Sequence, residues 1–369
     1  MENKTLIISS VSLVIIAALA LTIFIINQKS LSPQQNQTIL ENCKTLLYNG
    51  ENKVNLVFFS TKEQAEKYQK FFYTISPFDK NKEAFNFYYI DKFTPKCEIY
   101  KGIAILCYSK ELIKKAASCP NDYIIAIKEE SPNIRSSSYM NVMSINSQHK
   151  MSVLAHEFGH AFVTLAEEYT PATIPRGAKN CQSSCDNFNV NYGCFQECST
   201  QSLYRSIENG VMRTLSSSKY GIFSENLILK KLNKNQKRIT GSTTENTISC
   251  ENEKYYLIEA NYSNNDIQII NKYLQQGCLG TNGAGDFSYN LILNDNSIFT
   301  QEEFNPELIF TDSQSEEQEQ IEGETYINEG LFILKIPAIE NSKSLEIYKD
   351  TEKIEEINLQ YFDFRACPI

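Results

Sequence analysis

Two histidines and a glutamate in one short stretch carry the clearest chemistry in this sequence. His156, Glu157 and His160 form the pattern His-Glu-x-x-His. Residues four apart on a helix lie on the same face, so both imidazoles can reach one cation. Glu157 lies off that line but can touch a metal-bound water, as in the zinc hydrolases that share this pattern. The pattern predicts one catalytic zinc ion, with His156 and His160 as ligands and Glu157 as general base.

A catalytic zinc ion takes three protein ligands and keeps one position open, so a third ligand must exist. Glu167 is the predicted third ligand, with Glu168 and Glu208 as rivals. On a straight helix Glu167 would lie about 10.5 Å along the axis from His160. It can share the ion only if the helix ends soon after His160 and the chain doubles back. His149, two helical turns before the motif, is a poor candidate.

Zinc peptidases of the metzincin type make that break with a glycine three residues after the second histidine. Their third ligand comes six residues after that histidine. Val163 and Ala166 occupy these two places here, and Glu167 is one residue further on.

The predicted chemistry is peptide hydrolysis without a covalent intermediate. Zinc-bound water ionises near neutral pH, and the glutamate takes its proton and passes it to the departing amine. We therefore expect a zinc-dependent metalloendopeptidase acting on a protein or peptide substrate. Two alternatives stay open: a non-catalytic cell-surface binding or adhesion protein on the same fold, and a metal-dependent amidase acting on cell-wall or glycan-peptide material.

The elements before the motif predict an α/β layer, because strands and helices alternate. Val54–Phe59, Phe85–Asp91 and Asp122–Ile127 are predicted strands. Helices are expected from Thr61, a plausible cap, to Phe72 and from Lys110 to Ala117.

The segments around the motif helix have less regular patterns. Residues 139–145 predict a short edge strand that lines the substrate cleft. The motif helix is expected to begin near Asn146 or Ser147 and to end before Pro171, which disfavours helix at the preceding residue. A further helix is predicted over Ser224–Leu232.

The second half of the chain has a different pattern. Short apolar stretches separated by turn residues predict an all-β sandwich over residues 248–369. Residues 313–324 are acidic and predict a solvated loop. This half contains no histidine, so no catalytic group is expected from it.

An uncharged apolar run at residues 6–26 is long enough to cross a bilayer. The predicted division of the chain is a cytoplasmic tail (1–5), a transmembrane anchor (6–26), a stalk (27–52), a zinc metallopeptidase domain (53–240) and a β-sandwich domain (248–369). The membrane is thus an expected partner, through the N-terminal helix. The net charge of -9 argues against nucleic acid.

All eleven cysteines follow the apolar run, which predicts disulfides and an oxidising compartment. We therefore expect a single-pass cell-membrane protein with its catalytic domain outside the cell. Cys181, Cys185, Cys194 and Cys198 predict two short helices joined as a hairpin by two disulfides, rather than a four-thiolate zinc site, which favours closer spacing and a reducing compartment. Cys43 is a candidate for a bridge between chains.

The remaining pairings stay open at this point. Cys97, Cys107 and Cys119 are expected to include one local disulfide.

Taken together, these pieces resemble the immunoglobulin-A metallopeptidase family, secreted zinc peptidases of the zincin superfamily. The resemblance spans about residues 53–235 and is most specific from His156 to Tyr169. The family pattern there is H-E-F-G-H-x-F-x-x-L-x-D-E-Y, and it is met except that Glu167 replaces the aspartate. Members also often have glycine where Val163 stands.

This resemblance implies an α/β zincin-like catalytic domain, which here would be followed by the β-sandwich and preceded by the transmembrane helix. It also implies zinc on His156 and His160, catalysis by Glu157 and an acidic third ligand near Glu167. Met212, in Val211-Met212-Arg213, is similar to the methionine turn beneath the zinc site of metzincins.

Overall fold

A computed structural model describes residues 40–188, 193–235, 250–314 and 321–359. Within these ranges the chain forms nineteen strands and four helices. In chain order the strands of the first half are β1 (Lys44–Leu47), β2 (Val54–Phe59), β3 (Phe85–Ile90), β4 (Glu98–Tyr100), β5 (Ala104–Leu106), β6 (Tyr123–Lys128), β7 (Ser136–Tyr139), β8 (Val142–Asn146), β9 (Phe195–Cys198) and β10 (Thr200–Arg205). Those of the second half are β11 (Lys254–Ser263), β12 (Asp266–Gln276), β13 (Phe287–Leu293), β14 (Ile298–Phe304), β15 (Leu308–Ser313), β16 (Glu322–Ile327), β17 (Gly330–Pro337), β18 (Ser342–Lys349) and β19 (Glu352–Asn358). The helices are α1 (Lys62–Phe72), α2 (Lys110–Ala116), α3 (Val153–Val163) and α4 (Ile222–Asn235).

An eight-stranded mixed sheet positions the candidate site. Its strand order is β1-β3-β2-β6-β8-β7-β15-β16. The neighbouring pairs β3–β2, β2–β6 and β6–β8 are parallel, and the remaining pairs are antiparallel. The antiparallel hairpin β15–β16 comes from the second half of the chain and extends a sheet that the first half begins.

Alternating side chains of the central strands bury both faces of this sheet, as expected for parallel strands covered on two sides. Along β2, Leu56 and Phe58 face a core shared with helices α1, α3 and α4. Val57 and Phe59 face the opposite core, which α2, β11 and β17 complete. Thr61 caps α1 by accepting a hydrogen bond from the Gln64 N–H, as predicted.

The rest of the second half forms two antiparallel sheets, β12-β11-β17 and β14-β13-β18-β19. They share an apolar core to which β11 contributes Tyr256 and Ile258, while its Tyr255 and Leu257 face the eight-stranded sheet. A glycine permits the close join between the halves. A Cβ on Gly280 would lie 1.7 Å from the carbonyl oxygen of Asn121, so no other residue fits there without moving the backbone.

The predicted fold class, an α/β zincin-like domain followed by an all-β sandwich and preceded by a transmembrane helix, is wrong. Strands, distributed over several sheets, account for 39% of the described residues, and helices, including the short 3-10 helices, for 18%. The physical reason is that β15 and β16, from the range predicted to be a separate sandwich, add to the sheet of the first half. The predicted anchor at residues 6–26 lies outside the described residues. Within the described ranges, no helix has the length and apolar character needed to cross a membrane.

Three local predictions are also wrong. Residues 139–145 are not an edge strand, because they belong to β7 and β8, and β7 is covered by β15. Cys43 does not bridge chains, because it bonds to Cys119. The paired cysteines of residues 181–198 do not lie on helices: Cys185 begins a 3-10 turn and Cys198 ends β9.

Disulfides were predicted, and five of them cross-link the described residues. The hairpin carries the two expected ones, Cys181–Cys198 and Cys185–Cys194, and Cys97–Cys107 is the expected local one. Cys250–Cys278 staples the start of the second half. Residues 44–47, within the segment predicted to be a stalk, form β1 and pair with β3.

Candidate metal centre

Helix α3 carries the His-Glu-x-x-His motif through the middle of the protein. It begins at Val153, later than predicted, and it packs on β7 and β8. Phe158 stacks on Phe162 and makes an edge contact with Tyr123 on the sheet. This aromatic face fixes the rotation of the helix, so that the opposite face presents both histidines to β15.

The helix ends early enough for Glu167 to turn back towards the two histidines. Thr164 follows Val163 in the left-handed conformation, with φ 53. The Leu165 N–H then donates to the Gly159 carbonyl at 3.2 Å, which turns the chain back along the helix. Glu167 therefore reaches the two histidines. The left-handed residue and the glutamate are three apart, as glycine and ligand are in the metzincin pattern, but both stand one residue later.

Four side chains converge in one buried cluster: His156, His160, Glu167 and Asp312. One ligand atom from each lies within 4.8 Å of all the others, so the cluster could hold a metal ion. The two imidazole Nε2 atoms are 3.1 Å apart. Glu167 places Oε1 2.9 Å from His160 Nε2 and Oε2 3.3 Å from His156 Nε2.

Asp312, on β15, is the group that the sequence did not predict. Its Oδ2 lies 3.3 Å from His156 Nε2 and 3.9 Å from His160 Nε2. Its Oδ1 accepts a hydrogen bond from the Tyr169 hydroxyl at 2.8 Å. No catalytic constellation was expected from the second half, yet one of its side chains joins the cluster that could hold a metal ion. A lone aspartate beside an acidic stretch carries no local signal, and only the pairing of β15 with β7 brings it to the motif.

Backbone carbonyls fix which nitrogen of each ring faces the cluster. His156 Nδ1 lies 2.9 Å from the Val211 carbonyl oxygen, and His160 Nδ1 lies 2.7 Å from that of Leu165. A carbonyl oxygen can only accept, so both Nδ1 atoms carry hydrogen and both neutral rings turn an Nε2 lone pair inward. This is the orientation that outer hydrogen bonds give to metal-binding histidines.

The spacing of the donors matches one small ion. Ligands about 2.0–2.1 Å from a tetrahedral ion are roughly 3.3 Å from one another. Four of the five measured separations lie between 2.9 and 3.3 Å, and the fifth, from Asp312 Oδ2 to His160 Nε2, is 3.9 Å. Asp312 Oδ2 and both Glu167 carboxylate oxygens are buried without a hydrogen-bond partner in the described part of the chain. Without a cation, the lone pairs of the two Nε2 atoms and the two negatively charged carboxylates would lie close together and repel one another. The residues therefore fit a bound cation.

The electrostatics of the cluster follow from its complete burial. Burial lowers the pKa of His156, but Asp312 and Glu167 outweigh it and hold that pKa well above its ordinary value. Burial would raise the pKa of Glu167, yet His160 and His156 lower it to about 2. The cluster thus favours a cation strongly, whether this is a proton or a metal ion.

Glu157 lies beside the cluster without belonging to it. Its side chain is 0% exposed, and neither carboxylate oxygen has a hydrogen-bond partner among the residues that the structure describes. Burial and the nearby charge of Asp312 raise its pKa well above the ordinary value. A buried carboxyl group with a raised pKa next to a metal site can accept and return a proton.

The rival residues point elsewhere. Glu168 Oε1 accepts from Asn180 at 3.2 Å, and burial raises its pKa to about 7. Glu208 is exposed. His149 places its ring nitrogens 3.1 Å from the Ser136 hydroxyl and from the Pro132 carbonyl oxygen, so both are used.

Met212 lies under the helix rather than in the cluster. Its Sδ would lie 2.9 Å from a Cβ built on Gly159, so the glycine allows the helix and the Val211–Met212 turn to touch. This contact places the Val211 carbonyl where His156 needs it. Comparison with protein-family models gives no match, and neither does comparison with curated proteins.

Proposed function

We propose that this protein is a zinc-dependent peptidase whose metal is held by His156, His160 and Glu167, with Glu157 as general base. The observation that carries the proposal is the convergence of two inward-facing Nε2 atoms and unpartnered carboxylate oxygens within 4.8 Å of one another. Two imidazoles in a four-donor set favour zinc over calcium or magnesium, which prefer six or more oxygen ligands. We propose a protein or peptide substrate.

Each residue has a role that follows from its contacts. His156 and His160 bind through Nε2, and the Val211 and Leu165 carbonyls orient them. Zinc bound there would polarise a carbonyl and make water acidic near neutral pH. Glu157 would hold the proton taken from that water and return it to the amine that leaves.

A second candidate is a protein that binds zinc without catalysis. Asp312 is the observation that favours it, because a tetrahedral zinc with four protein donors is typical of structural sites, whereas catalytic sites keep one position open.

An oxidising compartment outside the cytoplasm is part of the proposal. Five disulfides among the described residues support it, because such bonds are rare in reducing compartments.

Metal analysis and mutation of the general base test the proposal. We expect one zinc per chain, removed by a chelator and restored by zinc, with the melting temperature falling and recovering in step. Glu157→Gln should keep the zinc but lower hydrolysis of a broad peptide library by about 10²-fold or more.

The third histidine offers a matched control. His156→Ala should lose the zinc, whereas His149→Ala should keep it, because His149 lies outside the cluster. Zinc-loaded protein whose hydrolysis is unchanged by Glu157→Gln would contradict the peptidase proposal. Zinc-loaded protein that cleaves nothing in any variant would support the second candidate.

A further inference from the structure

Strand β15 lies where an extended peptide would bind. It pairs antiparallel with β7 over four residues, from Ile309 opposite Tyr139 to Asp312 opposite Ser136. Without β15, β7 would be the edge of the sheet immediately beside the metal cluster. Peptides commonly bind proteins by adding a strand to such an edge. The second half of the chain therefore supplies in cis the strand that a substrate would supply in trans.

Two side chains of β15 face the cluster, as strand alternation requires. The Phe310 ring stacks on the His160 ring with centroids 4.1 Å apart and planes at 8°. Two residues on, Asp312 places Oδ2 among the metal donors. Phe310 thus covers the His160 ring, and Asp312 supplies the fourth donor. Thr311, between them, points the opposite way and donates a hydrogen bond to the Glu324 carbonyl.

The hairpin is shaped to hold Asp312 in this position. A Cβ on Gly323 of β16 would lie 2.0 Å from Asp312 Oδ1 and 2.1 Å from the Tyr169 hydroxyl oxygen. The absence of a side chain there makes room for the hydrogen bond between Tyr169 and Asp312. Gln314, two residues after Asp312, accepts hydrogen bonds from the Leu215 N–H and the Thr214 hydroxyl, which anchors the end of β15 beside the methionine turn.

We propose that β15 is an internal occupant of the substrate groove and that Asp312 closes the metal as its fourth donor, so that the protein is held in a latent form. This inference rests on the proposed function. The substrate class it implies is an extended peptide that pairs with β7 and places an apolar, preferably aromatic, side chain over His160, as Phe310 does. Displacing β15 uncovers the β7 edge and lowers the protein donors from four to three, the number found in catalytic zinc sites.

The test combines a metal-binding probe with hydrolysis. Acetohydroxamate binds zinc only where a coordination position is open. We expect no binding to the zinc-loaded wild type, and binding to zinc-loaded Asp312→Asn and Asp312→Ala. Hydrolysis of a peptide library should rise at least tenfold in both variants, with cleavage enriched at aromatic residues. Adding Glu157→Gln to Asp312→Asn should abolish that gain.

Two further variants separate occupation of the groove from simple loss of a ligand. Phe310→Ala leaves Asp312 intact but weakens the hold of β15, so we expect a smaller rise in hydrolysis and in acetohydroxamate binding. Ser313→Ala is the matched control on the same strand, because Ser313 contacts the Glu322 carbonyl instead of the cluster. It should match the wild type in both measurements.

Several results would overturn the proposal. Equal acetohydroxamate binding by the wild type and the Asp312 variants would show that Asp312 does not close the metal. Asp312 variants that keep zinc without a gain in hydrolysis would show that closure restrains no catalysis. Asp312→Asn is nearly isosteric and can still accept from Tyr169, so if it loses both zinc and its cooperative melting transition, Asp312 is a permanent structural ligand. A wild type that binds no zinc would instead remove the proposed function itself.

Discussion

The neighbouring residues Glu167 and Glu168 show that a shift of one position in the chain decides whether a glutamate reaches the metal cluster. Both are buried, at 1% and 0% exposure. Glu167 points to the two imidazoles, whereas Glu168 points to Asn180. The turn at Thr164 brings the chain back along the helix, and the two adjacent side chains then reach different partners. Burial and residue type are the same for both glutamates, so orientation alone separates them.

This difference gives a paired prediction. Glu167→Gln removes a charged donor. We therefore expect zinc affinity to fall by more than the roughly 10- to 100-fold loss that follows mutation of a residue hydrogen-bonded to a metal ligand. Glu168→Gln keeps an oxygen that can accept from Asn180 and should leave zinc affinity unchanged. Competition with a chromogenic chelator measures both. Equal loss in the two variants would contradict the assignment of Glu167.

The sequence alone could identify the motif residues because their chemistry is contiguous. His156, Glu157 and His160 lie on one helical turn, and Glu167 needs only a helix break, which the structure has at Thr164. Asp312 could not be found in the same way. Its place depends on a strand pairing between segments that lie far apart in the chain, and no periodicity within either segment encodes that pairing.

At the scale of elements, the contact between α3 and the turn at Met212 determines how well His156 is oriented. Gly159 lies at that contact, where an added Cβ would meet Met212 Sδ at 2.9 Å and Tyr220 Cε1 at 3.0 Å. The turn also supplies the Val211 carbonyl that accepts from His156. Under our proposal, packing of this helix and binding of the metal are therefore coupled.

Gly159→Ala should consequently destabilise the protein by about 1–3 kcal/mol, the usual effect of overpacking a core. We also expect weaker zinc binding, because the Val211 carbonyl must move with the turn. Gly330→Ala is the control, since its added Cβ would meet only Asn328 Oδ1 at 3.4 Å. Chemical denaturation of the zinc-loaded and zinc-free forms measures both effects, and a variant as stable as the control would contradict this view of the contact.

Elements that could be predicted from the sequence are those with strong local patterns. Strand β2, the cap of α1 and helix α2 agree with expectation within a residue or two. The predicted acidic loop, residues 313–324, overlaps the hairpin β15–β16 only at its two ends, because Ser313 ends one strand and Glu322 begins the next, while residues 315–320 lie outside the described residues. Acidic composition predicts solvent exposure, and Glu322 and Glu324 are exposed. It does not exclude a strand, because strand pairing depends on tertiary context.

At the scale of the whole molecule, a buried lysine lies where the two halves meet. Lys335 of β17 is 1% exposed and donates to Asn121 Oδ1 from the first half. Burial lowers its pKa to about 8 from 10.5, against the opposing effect of Asp122. The folded protein therefore binds this proton less tightly than the unfolded chain does. Its charge destabilises the fold most below pH 8, and the penalty disappears as the pH rises towards 10.5.

Lys335→Met should accordingly change the pH dependence of stability. The free energy of unfolding of the variant minus that of the wild type should be most positive near pH 7. It should decrease between pH 8 and 10.5, by up to about 1.4 kcal/mol per pH unit. The lost hydrogen bond to Asn121 shifts this difference equally at every pH. Denaturation at pH 7 and pH 10 measures the trend, and a flat or rising difference would contradict it.

Because Asp312 follows the other donors in the chain, a ribosome completes His156, His160 and Glu167 before it makes the strand that covers them. Under our proposal, each newly made molecule passes through a stage in which the metal-binding residues exist and their cover does not. Closure is then a late maturation step, because it waits for β15, Leu308–Ser313. A cell that makes this protein would benefit from withholding zinc until synthesis of the chain is complete.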